Sequence, residues 1–348
     1  MKAILRSIAT PVLAFVFLCA EPVPGQWLNY KTPGIPRTAD GKPDLAAPTP
    51  KAADGRPDLS GIWRGGPTIL DNIAAGLKPG DVQPWAEAVY QQRLLDLGKD
   101  SPLARCLPDP VNYDSDLFRI VQASGVIILI NEGPNGNSAP RTIYTDGREL
   151  PKDPNPSWLG YSVGRWDGDM LVVDTAGFND RSWLDRHGHP HTEALRITER
   201  FRRTDFGHLS IEMSITDPNV FAVSISRKID KMLTPDTIVL ESLCENERSV
   251  SHFSGGIRLS PDILSKYAGL YEFSPDRPAF VRADGPLLFV RFGQAAREEV
   301  LAAQSETIFH SRDGVGFQIE FVKDASGAVT HFMRRAEKAV RKGDLTSK

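Results

Sequence analysis

The chain has 348 residues, of which 41% are hydrophobic and 24% are charged, a composition typical of globular proteins. Its formal net charge is -3 and its Lys and Arg residues are scattered, which disfavours binding to nucleic acid or to an anionic membrane surface. Its 29 glycines and 27 prolines favour a fold with many turns over a helical bundle.

The first residues are typical of a secretory signal peptide. Lys2 and Arg6 form a short basic region, and residues 8–20 are mostly apolar over a length too short to span a bilayer. We therefore expect a signal peptide over residues 1–25 and a Sec-exported protein that is periplasmic or secreted. No later stretch is apolar for long enough to predict a transmembrane segment.

Residues 26–58 are predicted to form an extended, proline-rich arm. The arm contains a near-repeat, Asp40-Gly-Lys-Pro-Asp-Leu45 and Asp54-Gly-Arg-Pro-Asp-Leu59, in which Asp-Gly and Pro favour turns. Two interpretations stay open. The arm either wraps the following domain or a partner chain, which would give a route to an oligomer, or it is a flexible linker.

The region after the arm has one predicted helix and many short strands. Residues 84–97 carry apolar side chains at helical spacing behind a proline, which favours a helix. Alternating patterns and Gly-containing turns then predict sequential strands, an arrangement typical of an antiparallel barrel or sandwich. These strands cover residues 118–122, 126–131, 162–166, 170–174, 195–203, 209–215, 221–229 and 237–243.

A stretch rich in Ser and Gly, residues 251–260, marks the end of a main domain that spans residues 59–250. Beyond it, residues 261–341 are predicted to form a second, smaller β domain. Its predicted strands cover residues 279–283, 287–292, 307–311, 317–323 and 329–334.

Two cysteines are expected in the mature chain, because Cys19 lies in the predicted signal peptide. In an oxidising compartment, Cys106 and Cys244 favour a disulfide that links the start of the main domain to its end. The alternative is a pair of buried free thiols.

The C-terminal region carries the segments LSKYAGLYEF, GPLLFVRFGQ and SETIFHSRDGVGFQIEFVKDASGAVTHFMRR. Over most of residues 261–341 it resembles the lipocalin-like domain appended to secreted serine β-lactamase-like hydrolases. The resemblance implies an accessory barrel that carries no catalytic nucleophile.

The main domain carries DGRPDLSGIW, RCLPDP and a long segment that ends in HTEALRITERFRR. Over most of residues 55–250 it is similar to a family of uncharacterised secreted bacterial proteins, which implies family membership and no activity. It departs from that family's pattern at Phe221, where a Tyr and a following Pro-Trp pair are expected. We therefore predict an all-β protein, with a lipocalin-like or antiparallel β-barrel main domain and a second small lipocalin-like β domain.

The densest group of chemically versatile side chains lies in residues 183–200. Three of the chain's seven histidines, His187, His189 and His191, fall close together there. In an extended chain, alternate residues project to one side, so the three imidazoles are predicted to converge. Asp185 precedes them and could orient one of the rings through a ring nitrogen.

Such a set of imidazoles, completed by Glu193 or Glu199, suits a divalent metal such as Zn, Mn or Fe. A metal with open coordination positions would activate water or polarise a carbonyl group. The alternative is a loop with solvated histidines, because Gly188 and Pro190 interrupt the segment.

A metal-free interpretation uses the same residues, with a histidine and a carboxylate as general acid and base. Strand alternation places Glu199 on the apolar side of residues 195–203, where a carboxylate either has a raised pKa or is paired. Arg196 or Arg200 could hold an anionic group of a substrate. The alternative is an internal Glu–Arg pair that stabilises the barrel.

The polar segment 146–161 is a predicted loop, and it contains Trp158 and Tyr161. Together with Trp183, these aromatic side chains could form a stacking surface for a substrate. The alternative is that the tryptophans fill the end of the barrel.

The chain lacks the sequence motifs of serine hydrolases with a nucleophile elbow and of nucleotide-binding enzymes. The leading hypothesis is a lyase, isomerase or hydrolase that acts on a small organic molecule with the His/Glu cluster, with or without a metal. The alternative hypothesis is a non-catalytic β-barrel protein that binds a small apolar or aromatic ligand.

Overall fold

The computed structural model describes residues 31–65, 72–96, 99–110, 117–132, 139–240, 257–293, 298–311 and 317–344. The predicted signal peptide over residues 1–25 lies outside the described residues. In the described part of the chain, strands dominate and form two closed barrels, which confirms the predicted all-β, two-barrel architecture. Among these residues, no helix combines the length and apolar character that crossing a membrane requires.

The first barrel is built from β1 to β9, with each strand hydrogen-bonded to the next and β1 paired to β9. All of these pairs are antiparallel except β4 with β5, which is parallel. The strands are β1 (Gly61–Arg64), β2 (Leu117–Ala123), β3 (Val126–Asn131), β4 (Arg141–Tyr144), β5 (Tyr161–Asp167), β6 (Met170–Ala176), β7 (Arg196–Arg203), β8 (His208–Thr216) and β9 (Ile225–Leu233).

Burial alternates along the long strands of this barrel, as period-two patterning requires. The inward side chains fill the interior, and the largest fully buried ones include Trp63, Phe118 and Phe201. The Trp63 indole Nε1 donates a hydrogen bond of 3.0 Å to the Leu59 carbonyl, so its polar group is satisfied inside the core.

Helical segments lie between β1 and β2. Helix α1 spans Pro84–Leu95, close to its predicted range, and a short 3₁₀ helix spans Pro102–Arg105. Cys106, which follows it, has a left-handed backbone (φ 61). Cys244 lies outside the described residues, so the pairing of these two cysteines stays a prediction.

The second barrel contains eight strands in simple antiparallel order, with helix α2 (Pro261–Ser265) leading into it. Its core contains Tyr267, Tyr271, Phe309, Phe321 and Phe332, which contact one another largely edge-to-face. The strands are β10 (Gly269–Ser274), β11 (Arg277–Asp284), β12 (Leu287–Phe292), β13 (Glu299–Ala303), β14 (Ile308–Ser311), β15 (Gln318–Lys323), β16 (Val329–Arg334) and β17 (Glu337–Gly343).

The described part of the arm, residues 31–58, lies against the first barrel. Backbone amides of Phe206 and Gly207 donate hydrogen bonds of 2.7 and 2.8 Å to the carbonyls of Ala47 and Leu45. A side chain at Gly207 would meet the Leu45 Cβ at 2.4 Å, so this close approach requires glycine. Of the two interpretations of the arm, the structure therefore shows an arm wrapped on its own barrel.

Helix α1 also contacts the second barrel. Tyr90 and Leu94 pack against Leu287, Phe289 and Val300, which are outward-facing side chains of β12 and β13. The guanidinium of Arg258, just before α2, lies 2.8 Å from the carboxylate of Asp96 at the end of α1. The helix is thus shared by both barrels.

Two predicted strands of the main domain were placed wrongly. Residues 237–240 are not a strand, and residues 241–243 lie outside the described residues. The strand predicted over 221–229 begins only at Ile225, because the chain around Phe221 pairs instead with the segment before α1. There the Gln83 amide donates to the Val220 carbonyl at 2.8 Å, and the Ala222 amide donates to Asp81. Strands β1, β4, β10, β13 and β17 were not predicted.

Candidate functional site

The predicted histidine cluster lies in the loop between β6 and β7, and its centre is the buried carboxylate of Asp185. This carboxylate accepts backbone hydrogen bonds from Ile73 at 2.8 Å, from Gly188 at 3.0 Å and from His189 at 3.1 Å. It also contacts the Nδ1 atom of His189 at 2.7 Å. Asp185 therefore fixes the shape of this loop and the orientation of one imidazole.

The pKa of Asp185 reflects two opposing causes. Burial raises the pKa of the carboxyl group, but the neighbouring His189, by charge and by hydrogen bonding, and the charge of His187 lower it. The net effect is a pKa below the ordinary value for aspartate. The group is therefore held as a carboxylate inside the protein.

His189 is only 4% exposed, and its ring stacks on the ring of Tyr90 with centroids 3.9 Å apart. Tyr90 belongs to α1, so the loop is locked against the helix that both barrels share. The Arg93 guanidinium, one turn further along α1, donates a hydrogen bond of 2.9 Å to the Gly188 carbonyl. Sequence reasoning missed both helix residues, because they lie about a hundred residues away in the chain.

His191 has different surroundings from His189. Its Nε2 atom lies 2.7 Å from the Ser182 hydroxyl, and its Nδ1 atom lies 3.3 Å from the Thr192 carbonyl. Burial lowers the pKa of this imidazole, which favours its neutral form. Ser182 is only 1% exposed, so this Ser–His pair is enclosed by protein.

The predicted convergence of the three histidines was wrong. The Nδ1 atom of His187 lies 3.4 Å from the Nδ2 atom of Asn72. His189 and His191 have the separate partners described above. The carboxylate of Glu193 belongs to an exposed residue. In the described ranges, no three His, Cys, Asp or Glu residues are arranged to hold a metal ion.

The reason for this difference is the backbone of the loop. Gly188 has a φ of 95, so the chain turns back and the Leu184 amide donates to the His189 carbonyl at 2.8 Å. Alternate residues point to one side only in extended chain, and this loop is not extended. The histidine and carboxylate side chains of this loop are thus not arranged around one point. The binding of a divalent metal stays a prediction.

Glu199 lies inside the first barrel, on the apolar side of β7 as predicted, and it is 1% exposed. Its two oxygens accept hydrogen bonds from the two terminal nitrogens of Arg141, one of them at 3.0 Å. Arg141 also donates to the hydroxyl oxygens of Ser162 at 3.1 Å and Thr175 at 2.8 Å. Of the two interpretations of this residue, the structure shows the internal Glu–Arg pair.

Arg196 and Arg200 lie on the opposite, exposed face of β7. Arg196 donates to the carbonyl oxygens of Glu193 at 3.3 Å and Leu195 at 3.0 Å. The sequence predicted that one of these two arginines binds a substrate beside Glu199 or a histidine. The structure does not bring them together with Glu199 or His189.

A cleft of about 360 Å³ lies beside the loop, outside the lumen of the first barrel. Its walls come from one face of α1, from the 3₁₀ helix and from the chain around Trp158 and Trp183. The lining residues are Val89, Gln92, Arg93, Asp96, Lys99, Asp100, Pro102, Arg105, Leu107, Trp158, Arg181 and Trp183.

Two tryptophans that the sequence analysis singled out meet in this cleft, and each has an arginine over its ring. The Arg181 guanidinium lies 5.2 Å from the Trp158 ring centroid, and that of Arg93 lies 4.8 Å from the Trp183 ring centroid. The third predicted aromatic, Tyr161, is 37% exposed at the start of β5 and does not line the cleft.

The cleft and the histidine loop are connected through Arg93. Burial lowers the pKa of the Arg93 guanidinium to about 10, against the opposing influence of Asp185 and Asp100. The side chain therefore keeps its positive charge at neutral pH. Asp185 and His189 thus lie behind the wall of the cleft, while Arg93 and Trp183 form its surface.

No protein-family model and no curated protein matches this chain. The resemblances of the two domains therefore stay predictions.

Proposed function

We propose that the chain is a periplasmic or secreted binding protein for a small aromatic molecule, which it holds in the cleft between Trp158 and Trp183. The observation that carries this proposal is the pair of tryptophan rings on the walls of one cleft. Its volume of about 360 Å³ falls within the range of roughly 300–1,000 Å³ that small-molecule sites occupy. The signal-peptide pattern of residues 1–25 supports the location.

The position of the cleft supports binding over catalysis. The predicted acid Glu199 is paired inside the barrel, and His189 and His191 are 4% and 3% exposed. A general acid or base needs to come within hydrogen-bond reach of its substrate. The tryptophan rings and guanidinium groups that line the cleft recognise a ligand without reacting with it.

The test is isothermal titration calorimetry of the chain without residues 1–25 against 2-naphthoate and its neutral isostere 2-naphthamide. We expect at least one of them to bind, and Trp158→Ala to weaken binding about tenfold or more through loss of ring contact. The matched control is Trp85→Ala, because Trp85 is 46% exposed on α1 and does not line the cleft. Equal losses in the two variants, or no binding of either compound, would contradict the proposal.

A second candidate is an enzyme of the lyase, isomerase or hydrolase type that acts on a small molecule in the same cleft. The buried Asp185–His189 pair favours it, because a carboxylate that orients an imidazole is a recurring acid–base arrangement. The prediction is turnover of aromatic esters that is lost in His189→Gln, with binding of 2-naphthoate retained. Absence of turnover in the unmodified chain would count against it.

A metal-assisted form of this enzyme makes a separate prediction. The purified chain would contain about one equivalent of Zn, Mn or Fe, which plasma mass spectrometry measures. Combined alanine substitution of His187, His189 and His191 would remove the metal. Equal metal content in the two proteins would contradict it.

A further inference from the structure

The charges around the cleft are unequal. Its lining contains four basic side chains, Arg93, Lys99, Arg105 and Arg181, and two acidic ones, Asp96 and Asp100. Arg105 and Arg181 are exposed, and among the described residues neither makes an ion pair with a carboxylate. Each therefore offers guanidinium donors to a ligand in the cleft.

One of the two acids is neutralised from outside the cleft. The Oδ1 atom of Asp96 lies 2.8 Å from the Arg258 guanidinium and 4.0 Å from the Lys99 ammonium group. Arg258 belongs to the segment that leads into the second barrel and does not line the cleft. The segment that leads into the second barrel thus supplies a positive charge that compensates a negative charge at the ligand site.

We propose that the cleft selects aromatic carboxylates, with Arg181 and Arg105 as donors to the carboxylate, and that Arg258, in the segment that leads into the second barrel, favours this selection by neutralising Asp96. This inference rests on the proposed function and names the chemical class of its ligand. Planar guanidinium groups match the two oxygens of a carboxylate, and the tryptophan rings contact the aromatic part.

The position of Arg181 explains how one ligand can meet both requirements. The guanidinium lies over the ring of Trp158, so an aromatic acid that contacts this ring brings its carboxylate within reach of the arginine. Arg93 adds a second positive charge to the lining of the cleft, over the ring of Trp183. A neutral aromatic molecule would use the rings and leave these charges unused.

The experiment compares 2-naphthoate with 2-naphthamide by isothermal titration calorimetry on the chain without residues 1–25. We expect 2-naphthoate to bind about tenfold tighter, because charge-assisted hydrogen bonds are about twice as strong as neutral ones. Arg181→Gln should remove most of this preference, so the affinity for 2-naphthoate should fall much more than the affinity for 2-naphthamide. The matched control is Arg200→Gln, an exposed arginine on the outer face of β7, which should leave both affinities unchanged.

The contribution of Arg258 is tested in the same assay. Arg258→Gln should weaken 2-naphthoate binding about two- to threefold, since exposed ion pairs have small effects. Adding Asp96→Asn should restore the affinity, because it removes the charge that Arg258 compensates. The affinity for 2-naphthamide should stay constant in Arg258→Gln, because Arg258 does not line the cleft.

The outcomes separate the two proposals. Equal affinities for the acid and the amide would overturn charge selection and leave an aromatic binding site. Loss of 2-naphthoate affinity in Arg258→Gln that Asp96→Asn does not restore would overturn the role of Arg258. Binding of neither compound would overturn both this inference and the proposed function.

Discussion

Glu199 and Asp185 are both buried carboxylates, at 1% and 2% exposure, but they belong to different kinds of backbone. Glu199 lies on a strand, and its two oxygens accept hydrogen bonds from the side chain of Arg141 across the barrel interior. Asp185 lies in a loop and accepts three backbone hydrogen bonds besides its contact with His189. The first carboxylate stabilises a barrel, whereas the second shapes the wall of a cleft.

The largest effect is expected from breaking the pair inside the barrel. Arg141→Met leaves the Glu199 carboxylate buried without its ion-pair partner, which should lower the free energy of unfolding by about 3–5 kcal/mol. Urea denaturation measures this change. The control is the double variant Arg141→Met with Glu199→Leu, which should recover most of the loss, because it buries no unpaired charge. A small effect of the single variant would mean that Glu199 is not a structural residue.

Removing the loop carboxylate should lower the free energy of unfolding less than breaking the pair inside the barrel does. It should lower the affinity for the ligand more. Asp185→Ala leaves backbone amides and an imidazole without an acceptor, which should lower the free energy of unfolding by about 2–3 kcal/mol. Binding of 2-naphthoate should also weaken, since the loop holds Trp183 and contacts Arg93. The comparison between the two carboxylates would fail if Asp185→Ala left binding intact while Arg141→Met with Glu199→Leu abolished it.

The histidine in the same loop predicts a dependence of stability on pH. Burial holds the pKa of His191 in the folded chain below its ordinary value of 6.5, so the unfolded chain binds a proton more readily as the pH falls. The free energy of unfolding should therefore be unaffected by this group above about pH 6.5. Below that pH it should decrease, by up to about 1.4 kcal/mol per pH unit. Urea denaturation from about pH 7.5 to about pH 5 measures this change. The control is His191→Gln, in which the free energy of unfolding should depend less steeply on pH over the same range.

The smallest effects are expected on the outer face of β7 and beside it. Glu193→Gln and Arg196→Gln alter exposed residues, so each should change the free energy of unfolding by less than about 0.5 kcal/mol. Neither should change the affinity for 2-naphthoate, which calorimetry measures. A clear loss of affinity for 2-naphthoate in either variant would mean that the outer face of β7 contributes to ligand binding.

The sequence was informative where local pattern determines structure. Alternation along residues 195–203 correctly placed Glu199 inside the barrel, and the strands predicted over residues 162–166 and 170–174 correctly correspond to β5 and β6. It was not informative about the partner of Glu199, because Arg141 lies on a short strand far away in the chain. The histidine loop was misinterpreted for a local reason, since one glycine with positive φ removes the alternation that convergence required.

The candidate site was predictable only in part. Trp158 and Trp183 could be named as aromatic side chains in loops, and both line the cleft. The arginines Arg93 and Arg181 could not be assigned to them, because their positions depend on how α1 packs against the loop after β6. Burial pattern predicts which face of a strand is inside, but it carries no information about which distant surfaces meet.

The parallel contact between β4 and β5 has a consequence for where the cleft can form. A closed ring with an odd number of strands cannot alternate in direction all the way round, so one neighbouring pair must run the same way. In this nine-stranded ring the exception is β4 with β5, and residues 145–160 must travel back along the barrel between them. That return shifts every later connection to the other rim. Trp158 and the loop after β6 therefore arrive at the rim from which α1 emerges, whereas a strict meander would have left them at the far end.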